Sequence, residues 1–193
     1  KHRIGVDNNE SYQFLSDFVG TLSNAGCETF IIHARKALLK GLSPKENREI
    51  PPLKYNHVYQ LKRDFPDLEI ILNGGIKSLD QSLDILKYVD GVMLGREAYQ
   101  NPYLLADVDR RIYKSEEPRV SRAEVINSFV AILEDELSSG TKLNHMTRHL
   151  LGLYKGMPGG RKFRQHISEN AHKKNAGISI LTEALRYVTP SKK

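Results

Sequence analysis

Three short apolar runs, Thr29 to Ile32, Glu69 to Leu72 and Val92 to Leu94, each stop at a polar or glycine-rich end, and amphipathic helical patterns separate them. The ends are His33, Asn73-Gly74-Gly75 and Gly95-Arg96. Near-continuous apolar strands alternating with helices call for a parallel sheet covered on both faces. In such a sheet every strand's C-terminal end opens on the same side, so the three ends are expected to converge on one ligand.

The helical patterns supply the layers. Asn9 is placed to cap a helix with the stripe Leu15, Phe18, Val19 and Leu22, closed by Gly26. A second helix carries Val58, Leu61 and Phe65. Ser78-Leu79-Asp80-Gln81 reads as a capping box opening a third, with Leu79, Leu83 and Leu86 inward. Asn101-Pro102 reads as an N-cap with proline at the first helical position, followed by the stripe Leu104, Leu105, Val108 and Ile112. Lys1-His2-Arg3-Ile4-Gly5 reads as the tail of a further strand. Arg35 to Leu53 is a polar loop of a length usually reserved for function.

A composition shift at Glu116-Glu117-Pro118 marks a boundary, giving an α/β domain over 1–116 and a helical domain over 117–193. Ser121-Arg122-Ala123-Glu124 is a capping box for a helix with the stripe Ile126, Phe129, Val130, Leu133 and Leu137. Stripes at Met146, Leu150 and Leu153, and at Leu181, Ala184, Leu185 and Val188, complete a small bundle. Gly156-Met157-Pro158-Gly159-Gly160 interrupts it just before Arg161-Lys162-Phe163-Arg164.

Charge separates the two parts. Residues 1–120 hold 17 Lys and Arg against 17 Asp and Glu, whereas residues 121–193 hold 12 against 6, so the whole excess is C-terminal. Residues 141–174 carry eight basic side chains and one acid, Glu169. That is the footprint of a polyanion-binding surface, with a merely solvated basic face as the alternative. No run has the apolar length of a membrane span, and no secretory leader pattern is present. The single cysteine, Cys27, excludes an intramolecular disulfide and points to a reducing, cytoplasmic setting.

At the strand ends, Asn73-Gly74-Gly75 removes two β-carbons where the chain turns, which suits backbone approach to a phosphate; an ordinary tight turn explains that segment alone equally well. Gly95-Arg96 adds a glycine and a guanidinium fit for bidentate phosphate contact. Two consecutive ends with this chemistry match the phosphate site after strands seven and eight of a TIM barrel. His145 and His149 have a spacing that metal sites use, but the neighbouring charge favours polyanion-facing or solvated imidazoles, and no metal is expected.

Lys1-His2-Arg3-Ile4-Gly5, His33-Ala34-Arg35-Lys36-Ala37, Leu42-Ser43-Pro44-Lys45-Glu46-Asn47-Arg48, Asn73-Gly74-Gly75-Ile76 and Gly95-Arg96-Glu97-Ala98 together resemble the tRNA-dihydrouridine synthases, closest to the bacterial A subfamily. The likeness runs from Lys1 to about Arg164. It implies FMN-dependent, NADPH-driven reduction of uridine in the tRNA D-loop. It implies that Lys1 and His33 contact the flavin ring and ribityl region, and that Asn73, Gly74, Gly75, Gly95 and Arg96 hold its phosphate. Arg35, Lys36, Lys45 and Arg48 on the loop, with Arg161, Lys162 and Arg164 in the helical domain, are the expected tRNA contacts. No membrane and no obligate protein partner are expected.

The family's proton donor is a cysteine upstream of the lysine that stands here as Lys1. Cys27 precedes a strand, so it is expected at the far end of the sheet and is not catalytic. The chain lacks an initiator methionine and has room for about four of eight β/α units. It is therefore expected to be the C-terminal portion of a longer enzyme, half of a (β/α)8 TIM barrel followed by a small all-α domain. Two rival readings share some of these residues: another FMN-dependent, phosphate-binding TIM-barrel oxidoreductase, and a non-catalytic RNA-binding remnant.

Overall fold

The computed structural model describes residues 1–188, and the chain divides into two compact units, Lys1–Gly95 and Arg96–Lys193. The first unit runs β1 (His2–Arg3), α1 (Tyr12–Asn24), β2 (Thr29–His33), α2 (Tyr55–Asp64), β3 (Glu69–Asn73), α3 (Leu79–Ile85) and β4 (Gly91–Met93). Its four strands pair in parallel in the order β1-β2-β3-β4. Strand order follows chain order, as repeated β/α units of one hand require. The register aligns Arg3 with His33, His33 with Asn73 and Asn73 with Met93, so the strands' C-terminal ends form one level row.

Burial alternates along β2 and β3 although the sequence does not. Phe30, Ile32, Ile70 and Leu72 are buried against Leu15 and Val19 of α1 and Val58 and Leu61 of α2. Each fully buried side chain of this kind contributes about 1.5–3 kcal/mol by burial. Ile31, His33, Ile71 and Asn73 point to the other face and are only half-buried. The expectation of a sheet covered equally on both faces is thus corrected: within this unit one face is closed, and the other keeps apolar side chains partly open.

Helix ends show where local patterns held. Gly26 has φ +96°, and Cys27 and Gly26 donate their backbone N–H groups to the carbonyls of Leu22 and Ser23, closing α1 as expected. At the other end Ser11 is the cap, accepting from the Phe14 N–H at 3.1 Å. Asn9 does not cap, because α1 begins at Tyr12 and Ser11 directly precedes it; Asn9 instead bridges Val6 through its backbone. Leu15 and Val19 enter the core, while Phe18 and Leu22 stay exposed in a row with Phe14. In α3, Ser78 accepts from the Gln81 N–H, but Gln81 accepts from Lys77 rather than Ser78, so the box is displaced by one residue. The buried set there is Leu79, Ser82 and Ile85, not Leu83 and Leu86.

The second unit runs α4 (Arg96–Gln100), a 3₁₀ helix Pro102–Asp107, α5 (Val108–Arg111), α6 (Arg122–Ser138), α7 (Leu143–Thr147), α8 (Gly160–Asn170) and α9 (Ile178–Leu185). Ile126, Leu133, Leu143, Leu153, Phe163, Ile167, Leu181 and Ala184 form its core. Both halves of the Ser121–Glu124 capping box are made. Composition places a boundary near Glu116, whereas the compact units part at Gly95–Arg96. The reason is Tyr103, which lies in the helical core and donates its hydroxyl to the Val120 carbonyl at 2.9 Å. Leu105 of the expected stripe is exposed in consequence. The end of the expected helical domain, 189–193, lies outside the described residues.

Candidate functional site

The row of strand ends carries the candidate site. Gly74 and Gly75 follow Asn73 with φ +116° and +72°, a backbone that glycine adopts without strain. A β-carbon on Gly74 would lie 2.6 Å from His33 Cδ2 and 3.1 Å from Leu53 Cδ2; one on Gly75 would lie 2.6 Å from Leu53 Cδ1. Both glycines are therefore required by neighbouring side chains as well as by the turn. The Tyr55 hydroxyl donates to the Gly74 carbonyl at 2.6 Å, and Gln81 Nε2 reaches that hydroxyl at 3.4 Å. Asn73 Nδ2 donates to the Met93 carbonyl at 2.7 Å, tying the ends of β3 and β4.

The structure brings His33, Asn73, Gly74 and Gly75 together. Lys1 directly precedes β1, two residues below the row and on the same side of the strand as Arg3. Among the described residues no atom lies within 4 Å of a β-carbon added at Gly95, so their packing does not demand this glycine. Arg96 is exposed, opens α4 and belongs to the second unit. Cys27 lies before the opposite end of β2, its thiol 3.6 Å from the Thr29 carbonyl, about 20 Å of extended chain from His33. A reacting group held at the row is out of its reach.

The Arg35–Leu53 loop is built as a braced platform. Asn47 accepts from the Leu38 N–H at 2.8 Å and donates back to the Leu38 carbonyl at 2.7 Å. Arg3 Nη1 donates to the carbonyls of Lys36 and Asn47, each at 2.8 Å. Ser43 and Glu46 make reciprocal backbone-to-side-chain bonds, a capping box around the 3₁₀ turn Glu46–Arg48. Of the expected loop cations, Lys45 and Arg48 are exposed. Arg35 donates to the Pro51 carbonyl, and Lys36 pairs with Glu10 at 3.1 Å.

Sequence reasoning missed Glu10, Asn47, Leu53 and Tyr55 as parts of this assembly. Only the Ser43-Pro44-Lys45-Glu46 box carried a readable signal. Burial, followed by the neighbouring Tyr59, raises the Tyr55 phenol above its ordinary pKa, so it stays protonated and able to donate.

In the helical unit, Gly159 has φ +78°, and β-carbons on Gly159 and Gly160 would collide with the carbonyl oxygens of Tyr187 and Tyr154. This close approach starts α8 and exposes Arg161, Lys162 and Arg164 in its first turns, around the buried Phe163. At about 100° per residue these three fan across the solvent side rather than forming one spot. Lys162 Nζ sits 6.0 Å from the Tyr187 ring centre. The expected face pairing His145 with His149 is not formed, since α7 ends at Thr147 and His149 packs edge-on against Tyr99. No group of three or more His, Cys, Asp or Glu side chains suited to a metal occurs among the described residues, and no helix there is long and apolar enough to cross a membrane.

The turn at Gly74-Gly75, with the imidazole of His33 against it and open space at Gly95, suits a phosphate-bearing cofactor approached by backbone. A family model described as dihydrouridine synthase (Dus) matches residues 1–189. A relative from Vibrio cholerae serotype O1, named tRNA-dihydrouridine(20/20a) synthase, is 58% identical over 189 residues, covering 97% of this chain and 58% of its own. Relatives of the same name from Yersinia pestis (55% identical, 99% and 56% covered) and Escherichia coli strain K12 (57% identical, 97% and 55% covered) are alike. The chain thus spans little more than half the length of these curated relatives. It belongs to the dihydrouridine synthase family.

Proposed function

We propose that this chain carries the flavin-phosphate site and the RNA-contacting helical unit of a tRNA-dihydrouridine synthase, which reduces D-loop uridine to 5,6-dihydrouridine. The carrying observation is identity of 55–58% with relatives of that name over nearly all of the chain. Their name supplies the proposed target, positions 20 and 20a of the tRNA.

When bound, FMN supplies the hydride, drawn from NADPH. The chain's own residues hold and orient it. Backbone at Gly74-Gly75 and Gly95 would take the phosphate, Arg96 would add a bidentate cation, and His33 would contact the ring and ribityl region. Asn73 acts through the backbone, its amide being committed to Met93. Lys1 would offer positive charge to the flavin ring. The proton for uracil C5 comes from a cysteine outside this chain, since Cys27 sits at the wrong end of the sheet.

The four parallel strands read as the C-terminal half of an eight-stranded barrel. The other half would cover Ile31, Ile71 and the Phe14–Phe18–Leu22 row. Outside the barrel, Lys45, Arg48, Arg161, Lys162 and Arg164 grip phosphates while the target base leaves its stack, in the cytoplasm where tRNA matures.

The test joins this chain to the remainder of the Vibrio cholerae relative and supplies FMN, NADPH and unmodified tRNA. Gain of two hydrogens at a D-loop uridine supports the reading. NADPH consumption with the tRNA unchanged would move the substrate to a small molecule.

A further inference from the structure

We propose that Glu10 is a positioning residue for the Gly74-Gly75 turn, acting through the two lysines that bound the loop between β2 and α2. Glu10 stands in the linker between β1 and α1, remote in sequence from that turn. Its Oε1 lies 3.1 Å from Lys36 Nζ and its Oε2 2.9 Å from Lys54 Nζ. One carboxylate therefore ties the start of the loop to its end.

The connection continues from Lys54. Its N–H donates to the Ala34 carbonyl at 2.8 Å, which seats it beside the end of β2. Leu53, the residue before it, packs its Cδ1 and Cδ2 where β-carbons of Gly75 and Gly74 would stand. Tyr55, the residue after it, donates its hydroxyl to the Gly74 carbonyl. Lys54 is thus held between two residues that press on the phosphate turn, and Glu10 fixes Lys54.

A lone exposed ion pair would carry little weight. Here two pairs share one carboxylate, their side chains keep only 20–31% of full exposure, and the pairs close a long loop. Removing the charge leaves two ammonium groups around one neutral side chain, so their mutual repulsion is no longer offset. The loop that carries Lys45 and Arg48 and the turn proposed to hold the phosphate then loosen together. This inference rests on the phosphate-turn reading for its function, though the clamp itself does not.

The test uses the full-length enzyme with Glu10→Gln, which keeps shape and removes charge, and Glu10→Asp, which keeps charge. Hydrogen exchange at the Leu38 and Lys54 amides, which donate to Asn47 Oδ1 and the Ala34 carbonyl, reports the clamp, and flavin-fluorescence titration reports FMN affinity. Glu10→Gln should speed exchange and weaken FMN binding by about fivefold each, the size of a partly shielded ion pair, and Glu10→Asp should recover much of both. Lys54→Gln, breaking the clamp from the other side, should reproduce Glu10→Gln. Unchanged exchange in both Gln variants overturns the proposal. Faster exchange with unchanged FMN affinity overturns the link to the turn. Faster exchange in a protein that binds no FMN even as wild type keeps the clamp and rejects the phosphate reading instead.

Discussion

The Tyr55 hydroxyl donates to the Gly74 carbonyl at 2.6 Å, joining the first residue of α2 to the turn that ends β3. The bond fixes a carbonyl that would otherwise be free to rotate with its two glycine neighbours. It turns a flexible sequence into a formed cradle before any ligand arrives.

Tyr55→Phe keeps the ring and removes this donor. The expected cost is about 1–3 kcal/mol, because Gly74 is buried and its carbonyl loses this donor. Urea denaturation measures it, and FMN affinity should fall in parallel. A stability loss without change in FMN affinity would place the phosphate elsewhere.

Gly74→Ala should do far more harm. The added methyl meets the His33 ring at 2.6 Å in a backbone with φ +116°, so steric and conformational costs combine. A destabilisation of about 2–4 kcal/mol is expected, with FMN binding lost at concentrations that saturate the wild type. Gly95→Ala, where the added carbon meets open space, should leave stability within about 0.5 kcal/mol of the wild type and weaken FMN binding alone.

The fold was legible where a local pattern and the core wanted the same thing. Gly26 closed α1, the Ser121–Glu124 box opened α6, and the three apolar runs became β2, β3 and β4 within a residue or two. It was illegible where two capping residues stand close together, as at Asn9 and Ser11, of which Ser11 caps α1 while Asn9 bridges Val6 through its backbone. Phe18 and Leu22 obey helical spacing yet stay exposed, since spacing names a face but not what covers it. In the site, glycines and histidine at strand ends could be read directly. Glu10, Leu53 and Tyr55 could not, because their roles depend on a fold that brings the linker, the loop exit and the turn together.

Acid should destabilise the first unit in a window set by two histidines. His2 is depressed below 6.5 chiefly by burial among Phe18 and Phe30, and its Nε2 has no partner. His57 is depressed by burial and then by Lys54, with its Nδ1 unpartnered. The unfolded chain binds protons more readily at both, so their contribution is full above 6.5 and is lost as pH falls through the lower folded values. Thermal midpoints measured from about pH 7.5 to about pH 5.5 should fall, and His57→Phe should flatten part of that slope. A midpoint unchanged across the window would contradict the burial of both rings.

Alanine at Arg161, Lys162 and Arg164 should weaken tRNA binding and leave FMN affinity intact. If each side chain neutralises one phosphate, the slope of log affinity against log salt should shrink by about two to three units. Filter binding at several salt concentrations measures it. An unchanged slope would remove α8 from the RNA interface.

The central claim is tested most directly by mass spectrometry of tRNA from cells with and without the gene. Deletion should remove the two-hydrogen mass increment at D-loop uridines 20 and 20a, the positions in the relatives' name, and the gene should restore it. Full dihydrouridine at both positions after deletion, in cells with no other synthase, would contradict it.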